Sequence, residues 1–322
     1  MILKGNLPYW AAGFLVAASC SESVTNTNTH NFESTAKGWS INPEGDLNAF
    51  FECLEASGVT LVSAHRGGSY PGQPENAIET MDALMADTPA VMEIDVAASS
   101  DGVLYLMHDD TLDRTTNSAG PVASRSWKIV KDLKLQDDQG RITKYSPPKF
   151  EDVLLWANGR TLLQVDIKRS VRYEDLAEIV NRHGAERNVI LIAYSLAQAR
   201  KLHRLMPDAM ISLSVNSQSE LNRVVASGVA DTHLLGFTGT DAPRPRLFSI
   251  LNNRDVEVIF GTLGGRDSID QQIEQTGDEA RYAEIAAQGV DIIATDRPRE
   301  AYAALSKAGR SPTSGECGIA IN

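Results

Sequence analysis

From Asp46 onward, short apolar runs alternate with segments of helical period. The runs at 59–64, 91–96, 162–167, 189–193, 211–215, 234–237, 256–260 and 292–295 are rich in Val, Ile and Leu, and most of them place apolar residues at neighbouring as well as alternate positions. A strand reads this way when both faces of a parallel sheet are covered. Between them, 77–86, 173–183, 196–205, 219–226 and 280–288 predict helices. Gly184, Gly228 and Gly289 stand just past three of these, where a left-handed cap favours glycine. Eight strands with intervening helices over about 260 residues predict a (β/α)8 TIM barrel. A doubly wound open sheet is the alternative, and no GxGxxG follows the first strand to support it as a nucleotide binder. The alternation breaks between Asp109 and Phe150, a stretch with turns at Gly120-Pro121, Gly140 and Pro147-Pro148. It is expected to be a small insertion after the second strand.

Composition narrows the function. Hydrophobic residues make up 42% of 322, enough for a large core. The net charge of -12 and the lack of a long basic stretch argue against nucleic acid. The N-terminus carries Lys4, an apolar stretch over 7–18, and Ala17-Ala18-Ser19 before Cys20. That is the layout of a secretory signal peptide of lipoprotein type, with Cys20 as the lipidated residue. Ordinary cleavage and an uncleaved anchor are the alternatives. The expected location is periplasmic and membrane-anchored. The chain therefore divides into a leader (1–20), a Ser/Thr/Asn-rich tether (21–45), a barrel domain (46–310, insertion at about 109–150) and a C-terminal tail (311–322). With Cys20 lipidated, Cys53 and Cys317 remain as a candidate disulfide in an oxidising compartment, two free thiols being the alternative.

The chemistry is expected at the C-terminal ends of the strands. The first strand ends in His65-Arg66, and the second carries Glu93 and Asp95. A continuation of the second, 103–107, ends in His108-Asp109, and the third carries Asp166 and Lys168. Residues two apart on a strand share a face, so Glu93 and Asp95 point one way, as do Asp166 and Lys168. Three carboxylates gathered together need compensation, and a hard divalent cation, Mg2+ or Ca2+, supplies it. Arg66 and Lys168 suit a phosphate, and two histidines suit general acid–base work. The set describes a phosphoester-cleaving site.

The segments AHRGGSYPGQPENAIETMDAL, VMEIDVAASSDGVLYLMHDDTLDRTTNSAG, LLQVDIK and GVDIIATDRP together resemble the glycerophosphodiester phosphodiesterases over about residues 60–305. The resemblance implies a TIM barrel with a small insertion, and a small-molecule glycerophosphodiester as substrate. It implies His65 and His108 as the acid–base pair, and Glu93, Asp95 and Asp166 as ligands to one divalent cation. Arg66 and Lys168 would hold the phosphate, Glu75 and Asn76 would support the site, and Arg114 would brace its loop. Two positions depart from the family pattern. Asp166 stands where many relatives carry Glu, and the turn 260–265 offers glycines where many place a tryptophan. A lysophospholipase D-like activity and a non-catalytic surface-binding lipoprotein remain as alternatives.

Overall fold

The computed structural model describes Met1 and residues 38–322; the leader, Cys20 and most of the expected tether lie outside the described residues. In chain order the elements are β1 (Trp39–Ile41), α1 (Leu47–Ala56), β2 (Leu61–Ala64), α2 (Ile78–Met85), β3 (Ala90–Ala98), β4 (Leu104–Leu106), α3 (Trp127–Val130), α4 (Phe150–Ala157) and β5 (Leu163–Ile167). There follow α5 (Tyr173–Arg182), β6 (Val189–Ala193), α6 (Leu196–Leu205), β7 (Met210–Ser214), α7 (Gln218–Ala226), β8 (Leu234–Phe237) and α8 (Pro245–Asn252). The last are β9 (Glu257–Gly261), α9 (Ile269–Thr276), α10 (Ala280–Ala286), β10 (Ile292–Thr295), α11 (Pro298–Lys307) and β11 (Ile319–Ile321).

Strands β2, β3, β5, β6, β7, β8, β9 and β10 are parallel, and β2 pairs with both β10 and β3, so the sheet closes into a TIM barrel. One register matters for the site: Asp95 of β3 lies opposite Asp166 of β5. The outward strand faces pack on the helices, and the inward faces fill the interior. At the floor, Leu61, Val91, Ile190, Met210, Leu235, Ile259 and Ile292 meet Phe50, Phe51 and Leu54 of α1. Leu47, Phe50, Phe51 and Leu54 fall at i, i+3, i+4 and i+7, one helical stripe. Asp46 caps the helix by accepting from the Ala49 amide at 2.9 Å. Truncating Phe51 to Ala would cost about 3–5 kcal/mol. Among the described residues no helix is long and apolar enough to cross a membrane.

Three sequence expectations need correction. Residues 39–41, assigned above to the tether, form β1 and pair antiparallel with β11, Trp39 opposite Ile321. The tail beyond 310 is likewise built into the fold. A three-residue strand has no period of its own, and this one finds its partner some 280 residues away. Residues 104–106 do not continue the second strand but return antiparallel to it, Val96 opposite Leu106. This hairpin brings the chain back to the mouth, where the Met107 amide donates to the Asp95 carbonyl at 2.9 Å. The insertion that follows has a small core of its own around Tyr105, Met107, Leu112, Val122 and Val130. Cys53 of α1 and Cys317 are joined in a disulfide at the floor.

Candidate active site

The site starts with the way β2 ends. The chain leaves the strand through a tight turn over His65–Gly67, in which Arg66 takes a left-handed conformation (φ 53°). Asn76, on the loop before α2, does the same (φ 57°). Such non-glycine residues cost roughly 1–3 kcal/mol each and need surrounding contacts to hold them. Here the Arg66 amide donates to Glu93 Oε2 at 2.8 Å, and the Asn76 amide donates to the Arg66 carbonyl at 2.8 Å. Asn76 also clamps Asp95 from both sides. Its Nδ2 donates to Asp95 Oδ2 at 2.7 Å, and its Oδ1 accepts from the Asp95 amide at 2.9 Å. The first glycine of HRGG is required, since a Cβ on Gly67 (φ 78°) would come within 2.7 Å of Met81.

Glu93, Asp95 and Asp166 converge as the strand register dictates. One oxygen from each lies within 4.8 Å of the others, the one cluster among the described residues that could hold a metal ion. Lys168 Nζ sits 2.7 Å from Asp95 and 2.7 Å from Asp166. One ammonium does not balance three carboxylates. Burial first, and the Asp95 charge second, push Glu93 up to about 8. Burial also raises Asp95, but Lys168 and Asn76 outweigh it and hold this carboxyl below its usual range. Asp166 Oδ1 is buried with no hydrogen-bond partner. An orphaned carboxylate oxygen beside two more hard oxygens fits a divalent cation.

The two histidines line the same space as this cluster, and a carboxylate engages Nδ1 of each. His65 Nδ1 lies 2.5 Å from Asp296 Oδ1, and His108 Nδ1 lies 2.6 Å from Asp109 Oδ1. Burial lowers the His65 pKa, but Asp296 and Glu93 more than offset it and leave it raised. Asp296 is itself fixed. Its Oδ2 accepts from the Gly264 amide at 3.0 Å, and its amide donates to Asp270 Oδ2 at 2.7 Å. Asp109 is gripped by Arg114 through two 2.8 Å bonds, and Arg114 makes two more, also 2.8 Å, to Glu75. Glu75 in turn accepts from Arg66 Nη1 at 3.0 Å. A chain of ion pairs thus links His108 to Arg66.

The centre opens into two spaces. One is the barrel mouth, about 250 Å³, bordered by Ile192, Phe237 and Leu263. The other is a groove of about 970 Å³ along the loops after β5 and β6, bordered by Lys168, Arg169, Arg172 and Lys201. His108, Asp166 and Tyr194 border both, whereas His65 borders the mouth alone.

The glycerophosphoryl diester phosphodiesterase family model matches residues 65–257, well over half of the chain. The chain belongs to this family. It is a phosphoric diester hydrolase acting on glycerophosphodiesters. An uncharacterized protein of Bacillus subtilis is 33% identical over 182 residues, 52% of this chain and 72% of that protein. The glycerophosphodiester phosphodiesterase of Bacillus altitudinis is 27% identical, over 51% of this chain and 71% of that one. A glycerophosphoryl diester phosphodiesterase crystal structure from Parabacteroides distasonis superposes with a TM-score of 0.80 at 29% identity. It covers 88% of this chain and 100% of that chain.

Nine residues singled out in the sequence meet in this centre: His65, Arg66, Glu75, Asn76, Glu93, Asp95, His108, Asp166 and Lys168. Arg114 does brace its loop. Cys53 and Cys317 lie away from the centre, at the floor. Sequence reasoning assigned no role to Asp296, Asp109 or Asp270. Asp296 stands directly after β10, the same strand-end position that singled out His65, so that rule carried to the last strand finds it.

Proposed function

We propose that the chain hydrolyses glycerophosphodiesters with His65 and His108 as the proton-transfer pair and one divalent cation, Ca2+ or Mg2+, held by Glu93, Asp95 and Asp166. The observation that carries this reading is the pair of carboxylate-anchored imidazoles lining the same mouth as the carboxylate cluster. When bound, the cation would supply positive charge to the non-bridging phosphate oxygens. The side chains do the rest. Arg66, whose buried Nε makes no hydrogen bond and lies 3.9 Å from Asp95 Oδ2, and Lys168 would face the phosphate as fixed cations. With Nδ1 tied to a carboxylate, Nε2 of each histidine is the atom that exchanges a proton.

His65 borders only the mouth and takes the proton of the attacking hydroxyl. His108 also borders the groove and returns a proton to the leaving alkoxide. Over the whole reaction the phosphorus–oxygen bond to the alcohol breaks, an oxygen from water is added, and glycerol 3-phosphate and the alcohol are released. Loss of the proton donor to so basic a leaving group slows turnover about 10²–10⁴-fold.

Export as a protein anchored through lipidated Cys20 belongs to the same proposal. The Cys53–Cys317 disulfide supports it, because such bonds persist in oxidising compartments. The test is release of glycerol 3-phosphate from a panel of glycerophosphodiesters with Mg2+, with Ca2+ and with EDTA. Metal-dependent release that His65→Ala abolishes is the expected result. Full activity in EDTA, or near-normal activity in the variant, would overturn the assignment.

A further inference from the structure

The two spaces differ in a way that bears on the leaving alcohol. The mouth is small, partly apolar and set among the strand ends, of a size for the glycerol that every substrate of this class shares. The groove is nearly four times larger and leads outward from His108, so it is the space open to the variable alcohol.

Its charges are unevenly committed. Lys201 pairs with Glu174 at 2.9 Å and lies over the Tyr173 ring at 5.2 Å. Lys168 is held between Asp95 and Asp166. Arg169 is exposed, and no hydrogen bond or ion pair involves it among the described residues. Arg172 is 73% exposed, and its nearest carboxylate is Asp175 at 4.0 Å. Of the four carboxylates in the lining, Asp109 is occupied by Arg114, Asp166 by Lys168 and Glu174 by Lys201, which leaves Asp110 uncommitted opposite the two arginines. Two guanidinium groups with little to bind therefore border the path of the departing alcohol. A guanidinium matches phosphate in a bidentate, charge-assisted fashion.

We infer that this groove is a leaving-group subsite selective for an alcohol that carries a further phosphate, with Arg169 and Arg172 as its specificity-determining residues. The inference rests on the phosphodiesterase reading above and adds the class of head group. A neutral or cationic alcohol gains nothing from the two arginines, and a quaternary ammonium is repelled by them. A tenfold preference corresponds to about 1.4 kcal/mol, within reach of two solvent-facing charge pairs.

The experiment compares kcat/KM for glycerophosphoinositol 4-phosphate, glycerophosphoglycerol and glycerophosphocholine, in wild type and in an Arg169→Ala/Arg172→Ala double variant. The expected order is phosphate-bearing first, with choline at least tenfold slower. The phosphate-to-choline ratio should collapse to within about threefold in the double variant, and it should shrink as salt rises. Equal or better use of glycerophosphocholine by wild type overturns the inference, as does a ratio that survives the double substitution. Those results leave the phosphodiesterase reading intact. Absence of cleavage of all three by metal-loaded protein removes both. Calorimetric binding of inositol 4-phosphate is the readout independent of turnover, and wild type binding no better than the double variant also overturns the inference. Both substitutions are at exposed positions, so a matching melting curve is expected and checks the fold.

Discussion

Glu257 opens β9 on the inward face of the floor, two residues before Ile259, and its side chain meets the end of the barrel that α1 plugs. It is 7% exposed. No hydrogen bond or ion pair reaches its carboxyl among the described residues. Burial, and then the charges of Asp291, Glu55, Glu52 and Asp255, push it up to about 9 from an ordinary value of 4.5. The folded protein therefore keeps a proton there that the unfolded chain releases. With the folded pKa raised, this contribution is fully present below about pH 4.5 and is lost as the pH climbs toward 9, by about 1.4 kcal/mol per unit. At pH 7.5, three units above the unfolded value, the loss is about 4 kcal/mol, or about 2 where water relaxes the site. That is a large part of an ordinary domain stability of about 5–15 kcal/mol. Glu257→Gln keeps the shape and removes the titration. Urea unfolding of wild type and variant at pH 5, 6.5 and 8 should give curves that diverge with pH, the variant gaining steadily and being the more stable at pH 8. Taking the difference cancels the groups that do not interact with Glu257; of those that do, Asp291 comes first, itself pushed up to about 7 by burial. Parallel curves, or a variant that loses ground as the pH rises, would refute the reasoning.

Other perturbations act on the site and on the floor. Asp296→Asn removes the carboxylate that raises the His65 pKa, so the limb of the pH–rate profile that belongs to His65 should move to lower pH, with kcat reduced about 10²-fold or more. Glu93→Gln takes one oxygen from the cluster, and the metal concentration for half-maximal activity should rise at least tenfold, read by titrating the EDTA-stripped protein. Arg114→Ala leaves Asp109 held by His108 alone and Glu75 by Arg66 alone, and should slow turnover more than it weakens substrate binding, a split visible in kcat against KM. The double variant Cys53→Ser/Cys317→Ser should lose about 2–4 kcal/mol of unfolding stability while keeping its kcat, because the bond lies at the floor and the chemistry at the mouth.

The barrel was legible because its strands are covered on both faces, which makes them rich in Val, Ile and Leu. The bounds of β6, β8 and β10 coincide with the runs at 189–193, 234–237 and 292–295. The carboxylates and histidines were legible because strand ends put them in one place and the spacing of Glu93 and Asp95 fixes their side. Contacts between distant stretches were not. Trp39–Ile41 becomes a strand only against Ile319–Ile321. Asp296 gains its role only from His65, which is 231 positions away. The direction of β4 depends on the hairpin at Ser99–Val103, where the Ser99 amide donates to the Val103 carbonyl at 3.0 Å.

The β1–β11 pair has a consequence for orientation. Ile41 donates its amide to the Arg160 carbonyl, just ahead of β5, so the chain enters the domain at the floor. The described chain thus begins at the face opposite His65 and His108. A dissolved glycerophosphodiester reaches the mouth by diffusion alone. A lysophospholipid has first to be drawn out of the bilayer, and the 250 Å³ mouth is too small to shelter its acyl chain.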